Sequence, residues 1–237
     1  MLFIGPPFGN YISLPNTISI NGSFTLYPRP GLLSQIWNTL HYSKHYNGWI
    51  NKIGLRNPGI DAAIRKYKVE STDVYSIAIL HPSEIPQLLE KIPEKMNIEL
   101  NVSCPNAEKH MINDGLDGFI NDQRKWCIVK LSPEADDTLI DKFYEQGFRQ
   151  FHCSNTLPVI KGGLSGPSLR PYTSNLVKRI KARYPDTEVI AGGGIQTHTD
   201  IQAYQKVGAN HFAMSTLFFH PILASKFFWN FYKKKLE

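Results

Sequence analysis

Cysteine is scarce in this chain, acidic residues are outnumbered, and long apolar runs are missing. Cys104, Cys127 and Cys153 are the only cysteines. Three is too few, and too odd a number, for a disulfide framework, so a reducing compartment such as the cytoplasm is expected. They also lack the clustering that would hold an iron–sulfur centre. No apolar stretch approaches the roughly 20 residues of a membrane-spanning helix, so no membrane partner is expected. The opening MLFIGPPFGN has no basic residue ahead of its apolar ones and carries an early Pro-Pro, which makes it a poor signal peptide. Internal repeats, linkers and low-complexity tracts are absent. Lys and Arg (26) exceed Asp and Glu (20), for a net charge of +6. The basic residues are scattered, apart from Lys233, Lys234 and Lys235, and no aromatic–basic repeat accompanies them. Nucleic acid is therefore not the expected partner. A small anionic ligand or a solvated surface fits the charge equally well.

What is present points to one α/β domain over residues 1–237. The length is close to the roughly 250 residues of a (β/α)₈ TIM barrel. Eight short β-like runs occur: 3–5, 17–20, 74–80, 97–102, 127–132, 151–155, 188–194 and 211–216. Several are nearly continuous apolar or β-branched stretches, as parallel strands buried on both faces require. Amphipathic stretches at 83–92, 134–147, 173–184 and 200–208 alternate with the later runs, and the chain ends in an aromatic helix face. That face suits packing on its own barrel or at a homodimer interface. Residues 21–60, rich in Gly, Pro, Asn and Tyr, read as an irregular loop over the barrel mouth.

In such a barrel, chemistry gathers where strands end. The fourth run leads into Asn101-Val-Ser-Cys-Pro-Asn106, the fifth ends at Lys130-Leu-Ser-Pro133, and the sixth at Ser154-Asn155-Thr156. The seventh ends in Gly192-Gly193-Gly194 and the eighth in Ser215-Thr216. Glycines there let backbone N–H groups approach an anion, so a phosphate belongs to either a flavin or a sugar phosphate at this position; otherwise the glycines form a tight turn. Lys130 lies inside an apolar strand. Facing the barrel interior, it needs an anion; facing outward, it does not. Asn101, Asn106 and Asn155 are amides able to read donors and acceptors of a planar ligand. Cys104, in a loop next to Pro105, can reach a ligand, whereas Cys127 and Cys153 lie within apolar strands and read as packing. His41 and His45 are four apart, but Tyr, Asn and Gly around them argue against a helix, and no metal is expected.

These motifs, in this order, resemble the dihydroorotate dehydrogenase family in its soluble, cysteine-containing form. Glu99-Leu-Asn-Val-Ser-Cys-Pro-Asn106 is similar to the family's active-site loop. Lys130 with Ser132-Pro133, Asn155-Thr156, Gly162-Gly-Leu-Ser-Gly166, Gly192-Gly-Gly194 and Ser215-Thr216 follow in the family's sequence. Gly22-Ser-Phe-Thr25 and Trp49-Ile-Asn-Lys-Ile-Gly54 resemble two further segments. The resemblance implies FMN, with its phosphate on amides near Gly193, Gly194, Ser215 and Thr216. Ser23, Asn101, Gly163 and Gly166 would line the cofactor, and Lys130 would stand at the N1/O2 edge of its ring. Asn51, Asn101, Asn106 and Asn155, with Thr156 beside them, would bind dihydroorotate. Cys104 would take the proton from C5 while a hydride leaves C6 for the flavin. The electron acceptor stays open between fumarate and NAD through another subunit.

One segment departs from the family. Its first strand is usually followed by a short Lys-Asn motif that meets the substrate. Here the segment is Gly5-Pro-Pro-Phe-Gly-Asn10, with no lysine, and the strand and its helix are trimmed. Lys44 and Lys52 are candidate substitutes. The departure leaves two further readings: a dihydropyrimidine-type dehydrogenase acting on an uncharged cyclic amide, and a flavin-binding protein without turnover.

Overall fold

Eight of the strands pair only in parallel and close on themselves. The computed structural model describes residues 1–102 and 114–236. Its strands are β1 (Leu2–Ile4), β2 (Thr17–Phe24), β3 (His41–Ser43), β4 (Gly48–Asn51), β5 (Val74–Ile77), β6 (Ile98–Asn101), β7 (Cys127–Leu131), β8 (Gln150–Cys153), β9 (Leu157–Val159), β10 (Gly162–Ser165), β11 (Glu188–Gly192) and β12 (His211–Met214). The closed barrel runs β1-β12-β11-β8-β7-β6-β5-β2. All eight runs read from the sequence are these eight barrel strands, and the fold is a (β/α)₈ TIM barrel.

The helices are α1 (Leu32–Thr39), α2 (Ile60–Lys66), α3 (Ile85–Lys91), α4 (Asp137–Glu145), α5 (Arg170–Arg183), α6 (His198–Lys206) and α7 (Pro221–Leu236). Local chemistry starts two of them. Asp136 Oδ1 accepts from Leu139 N at 2.8 Å, and Thr197 and Asp200 form a reciprocal capping box at the head of α6. Such caps contribute about 0.5–2 kcal/mol each. In α5, Thr173, Leu176, Val177 and Ile180 recur at helical spacing and are buried against the barrel. The aromatic C-terminal helix packs on its own barrel through Ala224, Phe227 and Phe228. As the trimmed sequence predicts, β1 is followed only by a 3₁₀ turn, Phe8–Asn10.

Residues 21–60 do not form an irregular loop. Beyond the end of β2 they make α1, the β3–β4 hairpin and the first residue of α2. The hairpin joins β9 and β10 in a second sheet, ordered β3-β4-β10-β9. This sheet stands at the C-terminal ends of β11 and β12, where the Trp49 ring stacks on Phe219 at 4.3 Å.

The core has two shells. Outside the strands, a large cluster including Ile77, Leu100, Val129, Phe151, Val189 and Met214 meets the helices. Inside lies a smaller cluster of Phe3, Ile18, Ile20, Val74, Trp126, Ile128, Ile190 and Ala213. Its members come from β1, β2, β5, β7, β11 and β12 together with Trp126, and they meet across the barrel, so they fill its lower interior.

Candidate active site

Two residues further along several of the same strands, the interior turns polar. Alternate residues of a strand share a face, so Val74 is followed by Ser76 and Ile128 by Lys130. Ser76 and Glu99 are registered neighbours on β5 and β6, and Lys130 and His152 on β7 and β8. Glu99 is fully buried and gathers the other three: Ser76 Oγ donates to Oε1 at 2.8 Å, Lys130 Nζ lies 3.4 Å from Oε1, and His152 Nδ1 lies 2.5 Å from Oε2. Lys130 therefore faces the interior and is paired with an anion, as a lysine in a barrel wall must be.

Burial alone would raise the pKa of the Glu99 carboxyl. The Lys130 charge, His152 and the hydrogen bonds from His152 and Ser76 outweigh it and hold the carboxyl well below the usual carboxylate range. Burial pushes the His152 imidazole down, and the attraction of Glu99 does not overcome it. The ring is thus neutral at neutral pH, with Nδ1–H donating to the carboxylate. Gly192 makes room for it: a Cβ there would lie 2.7 Å from Nε2.

Above this layer a line of amides and hydroxyls continues toward the mouth. Ser23 Oγ and Ser76 Oγ are 3.0 Å apart, Asn101 Nδ2 donates to Ser23 Oγ at 2.8 Å, and Asn155 Nδ2 donates to Asn101 Oδ1 at 2.8 Å. Thr156 N donates to Asn155 Oδ1 at 2.9 Å. From Thr156 the chain enters β9 and β10, where Gly163 is registered opposite Asn51. β10 leads to Gly166, whose carbonyl would lie 2.7 Å from a Cβ on Gly194. Gly194 has a φ of +74°, and Pro167 Cα would be 2.6 Å from that Cβ, so only glycine fits there. Gly193 O accepts from Tyr204 OH, and Ser215 Oγ donates to Pro6 O. Beside these turns lies a cavity of about 160 Å³ lined by Tyr42, Trp49, Gly166, Arg170, Gln196 and Thr216, among others. Arg170 crosses its edge, donating to Gly194 O and Asp200 Oδ2 at 2.8 and 3.1 Å.

The residues singled out in the sequence thus fall into two connected groups, Ser23–Asn101–Lys130–Asn155–Thr156 and the turns around Gly166, Gly193, Gly194, Ser215 and Thr216, with Asn51 and Gly163 on the sheet between them. Cys104 and Asn106 lie outside the described residues. Cys153 is fully buried in the outer core, where burial raises its thiol pKa, and burial lifts Cys127 to about 12. Sequence reading gave no role to Glu99, His152 or Arg170. For the first two a signal existed: ionisable residues in strands otherwise fit for the core. Asn10, in the segment that lacks the family lysine, is committed elsewhere, with Oδ1 accepting from Gly22 N at 2.9 Å. Lys44 and Lys52 are exposed along the β3–β4 hairpin.

The model of the family described as dihydroorotate dehydrogenase matches residues 12–226. The chain belongs to the dihydroorotate dehydrogenase family. Among its relatives, the dihydroorotate dehydrogenase B (NAD(+)) catalytic subunit of Pelobacter propionicus is 29% identical over 94% of this chain and 82% of its own length. The same-named protein of Petrotoga mobilis is 32% identical over 68% of this chain. The match spans 64% of that relative's length, so just under two thirds of it is represented. A putative dihydroorotate dehydrogenase A (fumarate) of Aquifex aeolicus is 30% identical over 75% and 69% of the two chains. The ligand-free dihydroorotate dehydrogenase of Eimeria tenella shares the fold, with a TM-score of 0.73, 18% identity, and coverage of 94% and 81%. Dihydroorotate dehydrogenase family members are flavin-dependent oxidoreductases acting on CH–CH donors. No helix among the described residues is long and apolar enough to cross a membrane.

Proposed function

We propose that the chain is an FMN enzyme that oxidises dihydroorotate to orotate, a step of pyrimidine biosynthesis, in a single barrel domain. The observation that carries this reading is the union of an interior lysine with the glycine turns beside a cavity at one end of the barrel. The residues suit FMN. Amides near Gly193, Gly194, Ser215 and Thr216 would hold its phosphate, with the Arg170 cation at the same cavity. Ser23, Asn101, Gly163 and Gly166 would line the rest, and Lys130 would stabilise negative charge at the ring edge.

Asn51, Asn101, Asn106 and Asn155 would orient the substrate ring, with Thr156 beside them. Their amides offer both donors and acceptors, as a cyclic diamide requires. Cys104 takes the proton from C5, and the C5–C6 bond becomes double. FMN, when bound, would supply the acceptor for the hydride lost from C6. A free thiol has a pKa of about 8.5, so only a small fraction is thiolate at neutral pH, and excluding water around Cys104 would make that fraction a more effective base.

A second reading draws on Asn10. With its amide engaged by Gly22 and no lysine in its segment, the site offers one cation fewer to a carboxylate. That favours an uncharged cyclic amide, as in dihydropyrimidine-type dehydrogenases. Anaerobic titration of the flavin-loaded protein separates the readings. Bleaching of the flavin colour by dihydroorotate and not by dihydrouracil supports the first. Bleaching by dihydrouracil alone supports the second, and bleaching by neither overturns both in favour of a flavin-binding protein without turnover.

A further inference from the structure

The dihydropyrimidine chemistry proposed above uses Lys130 but leaves two buried ionisable groups beneath it without a task. Glu99 and His152 come from separate strands, β6 and β8, on either side of β7. Both are almost wholly withdrawn from water, with side chains 0% and 4% exposed. A buried carboxylate and imidazole are expensive to keep in a barrel, and apolar residues of similar volume would often serve stability as well. Their contacts are also unequal. His152 holds one carboxylate oxygen at 2.5 Å and Ser76 holds the other at 2.8 Å, whereas Lys130 stands at 3.4 Å. The shorter bonds fix the carboxylate, and the ammonium ion is attracted to it without being drawn fully onto it.

We propose that Glu99 and His152 are positioning residues for Lys130, which set how much of its positive charge reaches the cofactor ring above. The proposal rests on the FMN reading of the site. His152 donates to Glu99 and absorbs part of its negative charge. Without that donor, Lys130 would close on the carboxylate and present less charge upward. Without the carboxylate charge, Lys130 would present more of it. Around the imidazole, the packed strands contribute Glu99 from β6, Lys130 from β7 and the bare backbone of Gly192 from β11. Glu99 and Lys130 are the charged groups acting on it. A positive charge at the ring favours the reduced, anionic flavin, so the two residues act on the midpoint potential with opposite sign.

The test is the midpoint potential of bound FMN in the whole protein, after flavin content has been measured for each variant. His152→Leu keeps the volume but loses the donor, and should lower the potential. Glu99→Gln should raise it. Each shift should be about tenfold in the reduction equilibrium, or about 30 mV for a two-electron couple. His152→Asn, which returns an N–H near the Nδ1 position, should recover the parent potential. Shifts of the same sign in His152→Leu and Glu99→Gln, or no shift in either with flavin fully bound, would overturn the proposal. A merely structural role changes flavin content and melting temperature, and predicts neither opposite signs nor recovery by asparagine. If His152→Leu does not fold, nitrogen NMR of the parent His152 decides. A neutral ring protonated on Nδ1 at pH 7 supports the proposal, and a ring protonated on Nε2 alone, or an imidazolium, overturns it. A parent that takes up no flavin overturns the FMN reading on which the proposal rests, and the NMR still reports on the histidine–carboxylate pair.

Discussion

The two ends of the barrel interior share strands β5 and β7 and do different work. At the lower end Phe3, Ile18, Ile20, Val74, Trp126, Ile128 and Ile190 pack with no ionised group among them. Higher in the barrel, Ser76, Glu99, Lys130 and His152 form a connected set of charges and hydrogen bonds, with Ser76 and Lys130 one strand repeat above Val74 and Ile128. A shift of two residues keeps the side chain on the same face, so the change reflects height in the barrel and not strand direction. The lower end supplies burial, about 1.5–3 kcal/mol for each large apolar side chain. The upper end gives up some of that burial for groups that can bind and orient a ligand.

The largest effect expected at the upper end comes from Cys104→Ala. It should slow flavin reduction by about 10²–10⁴-fold, the usual contribution of a positioned base, while flavin content and melting temperature stay at parent values. Rapid-mixing absorbance checks this, and reduction at the parent rate would remove Cys104 as the base. At the lower end the expected effect is the reverse. Phe3, set edge-on to Trp126 at 5.2 Å, should cost about 3–5 kcal/mol when replaced by alanine, measured by urea unfolding, and the folded fraction should keep its flavin affinity.

Lys130→Met mixes the two behaviours, because it leaves Glu99 ionised and buried without its cation. It should destabilise by about 3–5 kcal/mol, and adding Glu99→Gln should restore much of that loss. Strictly additive losses in the double variant would show that the pair is not coupled. Gly194→Ala should be milder. A side chain in the left-handed region costs about 1–2 kcal/mol, and the contact with Pro167 adds to it, so stability should fall by about that much or more and flavin affinity by about tenfold or more.

The smallest expected effect is on acid stability. His152 resists protonation in the fold, while an unfolded histidine takes its proton near pH 6.5, so the unfolded chain binds more protons below that value. Stability is therefore fully present above about pH 6.5 and declines as pH falls. Glu99, held ionised in the fold, adds a second loss at lower pH, beginning near the unfolded carboxyl value of about 4.3. Urea midpoints from pH 8 to about 3 should show both, and His152→Asn should remove the first. A midpoint that rises between pH 7 and 5.5 in the parent would contradict a neutral His152.

The barrel was legible because each strand is a short run of core-forming residues, and parallel pairing needs no special turn between neighbours. The second sheet was not. β3 is three residues long and mostly exposed, β9 contains Pro158, and Gly163 on β10 meets Asn51 from 112 positions away in the sequence. Those strands exist because of tertiary pairing, which local pattern does not encode. The site was legible where residue type is unusual for its place, as with Lys130 and the glycines after β11. Glu99 was quoted only as part of a motif, although the requirement that an interior lysine have an anion applied to it directly. Asn10, at the end of the segment that lacks the family lysine, shows nothing unusual in the sequence, yet its amide pairs with Gly22, so a lysine there would remove that support.

The most direct measurement of the division between the two ends is flavin binding itself. Protein purified with added FMN and passed through gel filtration should elute yellow, with about one flavin per chain, as a single phosphate site at the loops after the last two barrel strands requires. Phe3→Ala should elute yellow in its folded peak, and Gly194→Ala should lose colour. A colourless parent with no measurable affinity for FMN would contradict a flavin site at the polar end of the barrel.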